Sequence, residues 1–221
     1  MLLVTSTPVS LKDLAEIVQD NSHSSQIDLK KVICLNTKAV KTTLIKNYEN
    51  IEYSFRNLFR NSYRKFNDSE IKIEYDKKAT VERDQVLSQV RNITSFFQTI
   101  LDDYEQEIHT RKLVIQDTYT NPTDIELQIE VPQMNAIITL FEIGDNVQVL
   151  AENLWLAGVI DIESKQELTT EFSKKIQNLG RNASIKANSL MKIGTQFKEL
   201  ERNNQAQKAQ NNKSEEQAIA S

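Results

Sequence analysis

Arg56, Arg60 and Arg64 recur at every fourth position beside Phe55, Phe59, Tyr63 and Phe66, and no acid interrupts residues 53–67. On a helix this spacing sets a guanidinium stripe next to an aromatic one. Guanidinium groups are suited to phosphate, which they bind in a bidentate fork. A second basic run lies between Phe172 and Lys198, where the charged residues are Lys174, Lys175, Arg181, Lys186, Lys192 and Lys198. A third surrounds DLKKVICLN at 28–36, which carries Lys30, Lys31 and Asn36 and is followed by Thr37, Lys38 and Lys41. Each run has a plainer reading as a solvated face that pairs with acids elsewhere in the fold.

Other chemistry is hard to assemble. His109 follows Glu105 by one helical turn and His23 sits in a polar stretch, but one His–carboxylate pair is not a metal site. Asp102, Asp103, Glu105 and Glu107 read as a solvated acidic face. Cys34, the only cysteine, excludes an internal disulfide and reads as a small strand residue rather than a nucleophile. The four glycines all follow residue 143, so the earlier chain holds no Gly-rich phosphate loop. We expect no catalytic residue, no metal ligand and no cofactor.

A composition 39% hydrophobic, 7% aromatic and 26% charged suits a helix-rich chain. No apolar run reaches the roughly 18 residues a membrane span needs, and a cytoplasmic location is expected. Net charge of −4 argues against non-specific adhesion to nucleic acid, so the distribution of the positive groups matters more than their sum.

The elements that would position these groups are mainly helical, with short strands. Ser10-Leu11-Lys12-Asp13 is spaced as a capping box for a helix ending near Asp20, within an N-terminal helix-and-loop segment 1–26. A single mainly helical domain follows at 27–202, and the polar stretch 203–221 predicts a disordered tail. Asp28 to Asn36 reads as a strand. Thr37 to Phe66 reads as helix, either unbroken or split at Asn47-Tyr48-Glu49-Asn50 with Asn50 capping the second part. Ile71, Ile73 and Tyr75 alternate with charges and suggest a further short strand. From Thr80 to about Asp117 a continuous stripe through Val86, Val90, Ile93, Phe97, Ile100, Tyr104, Ile108 and Ile115 predicts a long amphipathic helix, as does the stripe within Glu167 to Leu200.

Thr123 to Val131 alternates strictly, stops at Pro132, and leads into a helix that Gly144-Asp145-Asn146 interrupts as a tight turn. A lone strand must pair its backbone groups with something. Pairing with the same strand of a second copy gives a dimeric ribbon-helix-helix arrangement, whose ribbon fits a major groove. Its exposed face would offer Glu126, Gln128 and Glu130, two of them carboxylates opposed to phosphates. The earlier segment repeats the same strand-helix-helix grammar with lysines and arginines. Because phosphate neutralisation supplies most of the affinity, the earlier copy is the expected DNA-contacting one.

KVICLNTKAVKTTL and FEIGDNVQVLAENLWLAGVID carry a resemblance. The chain resembles the AcaB-type transcriptional regulators of conjugative plasmids and integrative elements. KVICLNTKAVKTTL is similar to that family's strand leading into Thr-Arg/Lys and a helix. FEIGDNVQVLAENLWLAGVID is similar to its acidic turn, amphipathic helix and closing Gly/Leu/Ile-Asp segment. FNDSEIKIEYD departs from the Asp-Pro-Tyr-type turn expected after the aromatic-rich helix. The resemblance implies a homodimeric activator that binds double-stranded promoter DNA and switches on transfer genes, with RNA polymerase as a further partner. The competing expectation is a helical scaffold whose basic helices meet acidic protein surfaces.

Overall fold

The computed structural model describes residues 29–114 and 122–219, with side chains from 30 up to 210. The N-terminal helix expected at Ser10–Asp20, His23 and the Ile115–Asp117 end of the long helix lie outside the described residues. Among the described residues six elements follow in order: β1 (Leu29–Leu35), α1 (Lys38–Ser62), α2 (Ser69–Arg111), β2 (Thr123–Ile129), α3 (Met134–Leu156) and α4 (Ile162–Ile219). The mainly α class with short strands is as the sequence predicts.

The order is one unit used twice, strand, helix, longer helix. β1 and β2 pair with each other, antiparallel, with Lys30 opposite Gln128, Val32 opposite Glu126 and Cys34 opposite Asp124. The ribbon expected between two copies therefore closes within one chain. A second strand-bearing segment is already present, and it satisfies backbone groups that a dimer would otherwise have to satisfy. The ribbon thus supplies no reason for a homodimer.

Of the two alternatives at Asn47–Asn50 the unbroken helix is the one formed, and the break expected at Gly144-Asp145-Asn146 is absent. α1 runs unbroken past Asn47–Asn50, held by the buried stripe Leu44, Tyr48, Ile51, Phe55 and Leu58. α3 likewise runs through Gly144-Asp145-Asn146. Gly144 serves proximity there, since a Cβ at this position would overlap the Phe172 ring of α4. Phe172 in turn packs between Phe97 of α2 and Phe141 of α3, at centroid distances of 5.2 and 5.9 Å.

The strand expected through Ile71, Ile73 and Tyr75 is instead the first turns of α2. Asp68 caps it by accepting from the amides of Glu70 (3.0 Å) and Ile71 (3.2 Å). Only Ile71, Tyr75 and Ala79 are buried, four residues apart, while Ile73 is 56% exposed, so a helical period underlies the apparent alternation. α2 ends at Arg111 with Lys112 in the left-handed region, φ 52°. Its 43 residues span about 65 Å, and it packs on α3 and α4 of its own chain.

α3 stops at Gly158, φ +70°, where the amides of Gly158 and Val159 return to the carbonyls of Trp155 and Leu154. α4 then continues to Ile219, through the stretch for which composition predicts disorder. Ala, Gln, Lys and Glu dominate residues 205–218, and such residues extend a helix already nucleated upstream without needing a core.

Candidate nucleic-acid interface

α1 begins where β1 ends, and a buried acid fixes that corner. The Asp145 carboxylate, from mid-α3, accepts from the amide of Asn36 (2.7 Å), its side-chain amide (3.1 Å), the amide of Thr37 (2.8 Å) and the Thr37 hydroxyl (2.6 Å). Thr37 is itself the N-cap of α1, accepting from the Val40 amide. An anion at a helix N-terminus is favoured by the orphan amides and the helix dipole. Asn36 and Thr37, expected on DNA, are thus engaged within the fold.

The arginine stripe is also absorbed. Arg56 and Arg60 share the Glu130 carboxylate beyond the end of β2, with the Arg60 contact at 3.3 Å, and Arg56 additionally stacks on Tyr53 at 5.2 Å. Arg64 packs its guanidinium over Gly194 of α4. On the ribbon, Lys30 pairs with Glu126 at 2.6 Å, and Lys31 points to the other face and pairs with Glu142 at 3.4 Å. The solvent face of the ribbon therefore presents Lys30, Val32, Cys34, Asp124, Glu126 and Gln128, one ammonium against two carboxylates. That face repels a phosphate backbone, which argues against the ribbon as the DNA-contacting element. The Cys34 thiol is held above its usual pKa by partial desolvation and then by the neighbouring Asp124, which disfavours the thiolate.

Of the basic run on α4, Lys175 pairs with Glu171 and covers Phe96, Lys186 pairs with Glu82 at 2.8 Å, and Lys198 pairs with Glu201 at 2.7 Å. Glu201 is buried, and its other oxygen accepts from the amides of Asn67 and Asp68, the second at 2.9 Å. Those bonds, Lys198 foremost, hold its carboxyl below the usual range. Glu201 does for the start of α2 what Asp145 does for the start of α1.

What remains converges on the seam where α1 and α4 run side by side in the same direction. Near its start, Lys38, Ala39, Thr42 and Thr43 face Thr169, Thr170, Ser173, Lys174 and Gln177 across one open groove, and no carboxylate lines it. Further along, the Asn50 side chain approaches Gly180, the residue before Arg181, which follows Lys174 by one heptad. Lys38, Lys174, Asn50 and Arg181 are exposed, and the three cations make no ion pair among the described residues. Lys41, one turn from Lys38, is half-buried and close enough to act on the Cys34 thiol.

The hydroxyls of this groove escape a reading by charge. Thr42 and Thr170 donate to the carbonyls of Lys38 and Gln166 on their own helices, and Thr169 donates to Gln148. The available signal is the pairs Thr42-Thr43 and Thr169-Thr170 at mid-helix positions, where threonine has no propensity advantage.

No protein-family model matches the chain, and no curated protein matches it. Among solved structures it is similar to that of selenomethionine-containing AcaB from uropathogenic E. coli, with a TM-score of 0.61 at 15% identity, covering 78% of this chain and 82% of that one. At this identity the likeness shows a shared fold. Among the described residues no helix is long and apolar enough to cross a membrane.

Proposed function

We propose that this chain is a non-enzymatic transcriptional regulator of a mobile genetic element that holds the DNA backbone along the α1/α4 seam. The observation that carries the reading is the meeting of Lys38 and Lys174 in a groove that no carboxylate lines, with Lys174 also bordering a neighbouring groove that holds Glu163, Glu167 and Glu171. Phosphates spaced along a strand are matched by cations spaced along two parallel helices, and hydroxyl and amide side chains between them suit backbone rather than base contact. The resemblance in KVICLNTKAVKTTL and FEIGDNVQVLAENLWLAGVID, together with the fold shared with AcaB, supports the regulator class. Activation of transfer genes is the sense in which that resemblance points.

A second reading, a partner-binding helical scaffold, is favoured by one observation: Lys30, Lys31, Arg56, Arg60, Lys175, Lys186 and Lys198 are all paired with carboxylates. Gel shift of the element's own promoter fragments separates the two. The regulator reading expects a shifted band that Lys38→Glu with Lys174→Glu removes, whereas a scaffold gives no shift for either protein.

A further inference from the structure

On the opposite side of α1 lies a groove of different character. Leu44, Ile45 and Tyr48 of α1 and Ile125 and Leu127 of β2 form its floor, and Glu49, Glu52, Glu126 and Glu130 its rim, with no lysine or arginine in the lining. Ile45 is 76% exposed, unusual for an isoleucine on a helix whose other face is core. One oxygen of Glu52 is buried without a hydrogen-bond partner. Burial, and then Glu130, hold the Glu52 carboxyl above its usual range against the opposing pull of Arg56 and Arg60, and a further cation beside it would favour the charged form.

The groove also borders a strand edge. Within the described residues the sheet ends at β2, and the Tyr48 hydroxyl donates to the Gln128 carbonyl on that outer edge at 2.8 Å. Backbone direction alternates along a strand, so Glu126 and Asp124 turn their amide and carbonyl the same way as Gln128, toward a position no described strand occupies.

We propose that this groove docks an extended, basic segment of a partner protein, its aliphatic side chains on Ile45 and Ile125 and its lysines or arginines on Glu49 and Glu52. Charge selects this occupant. Glu126 and Glu130 are already paired with Lys30 and with Arg56 and Arg60, but Glu49 and Glu52 form no ion pair among the described residues, so the rim still favours a cationic partner over DNA. A basic strand meets both the rim and the edge, the mode in which main-chain bonds give affinity and alternate side chains give selectivity. None of the seam residues takes part, so failure here leaves the nucleic-acid reading intact.

The test is fluorescence anisotropy of the full chain with two labelled probes, a short alternating leucine/lysine peptide and its leucine/glutamate counterpart. The lysine peptide binds and the glutamate peptide does not. Ile45→Lys and, separately, Glu49→Lys weaken binding by about tenfold or more, while Ile73→Lys, on an exposed position of α2, leaves it unchanged. Equal binding of both peptides, no binding of either, or equal loss with Ile73→Lys overturns the proposal. So does sedimentation showing a dimer that Ile45→Lys converts to monomer, since a second copy would then be the occupant.

Discussion

The carboxylate of Asp145 binds both the amide and the hydroxyl of Thr37, at 2.8 and 2.6 Å, and so ties the middle of α3 to the N-cap of α1. The contact joins the two strand-helix-helix units at the corner where β1 passes into α1. Asp145 is 1% exposed, and removing it leaves several buried donors without an acceptor. Asp145→Ala is expected to lower stability by roughly 2–4 kcal/mol, read as a shift in the urea midpoint. Thr37→Ala costs less, and the double variant falls short of the sum because both changes break the same bonds.

Gly144 and Phe172 offer another test of how the units join. A methyl at Gly144 meets a ring already enclosed by Phe97 and Phe141. Gly144→Ala is expected to cost about 1–3 kcal/mol despite the better helix propensity of alanine. Phe172→Leu in the Gly144→Ala background recovers part of that loss, whereas Phe172→Leu alone destabilises. Thermal melts of the three variants check both signs.

Much of this architecture is legible in the sequence. The alternations at 28–36 and 123–131 mark both strands within two residues, and the long apolar stripes mark α2 and α4. The misreadings share a cause. Gly144-Asp145 has turn composition, but burial of Ile138, Phe141 and Val147 on either side outweighs that local preference, and the same burial of Leu44, Tyr48 and Ile51 decides for the unbroken alternative at Asn47–Asn50. No acid interrupts residues 53–67, yet Glu130, 74 residues from Arg56, folds back onto Arg56 and Arg60. A charge stripe reports which residues share a face, not what the fold lays against it.

Tyr48 allows the strand edge to be followed by pH. Burial, and then Glu52, push its hydroxyl up to about 12. A tyrosine raised above its unfolded value of about 10 contributes stability that is complete below that pH and is lost as pH rises toward the folded value. Burial also raises Tyr75 and Tyr104, so ultraviolet titration is expected to show several phenols ionising late, and Tyr48→Phe removes its own share of that late absorbance along with the alkaline loss of stability it causes.

Glu201 works in the opposite direction. Its carboxyl is depressed, so its contribution is present above the unfolded value of about 4.3 and is lost as pH falls through the lower folded value. The start of α2 should loosen first in acid, and Glu201→Gln should flatten the acid limb of the stability profile while leaving the alkaline limb unchanged.

For the seam between α1 and α4, the decisive quantity is the affinity of the full chain for fragmented duplex DNA as a function of salt. Binding is expected to weaken linearly on a log–log plot, with a slope reduced by about 3 when Lys38, Lys174 and Arg181 are together exchanged for alanine, while Arg56→Ala leaves the slope unchanged. Absence of any affinity at about 50 mM salt, or a triple variant that binds with the parental slope, would refute backbone binding along the seam.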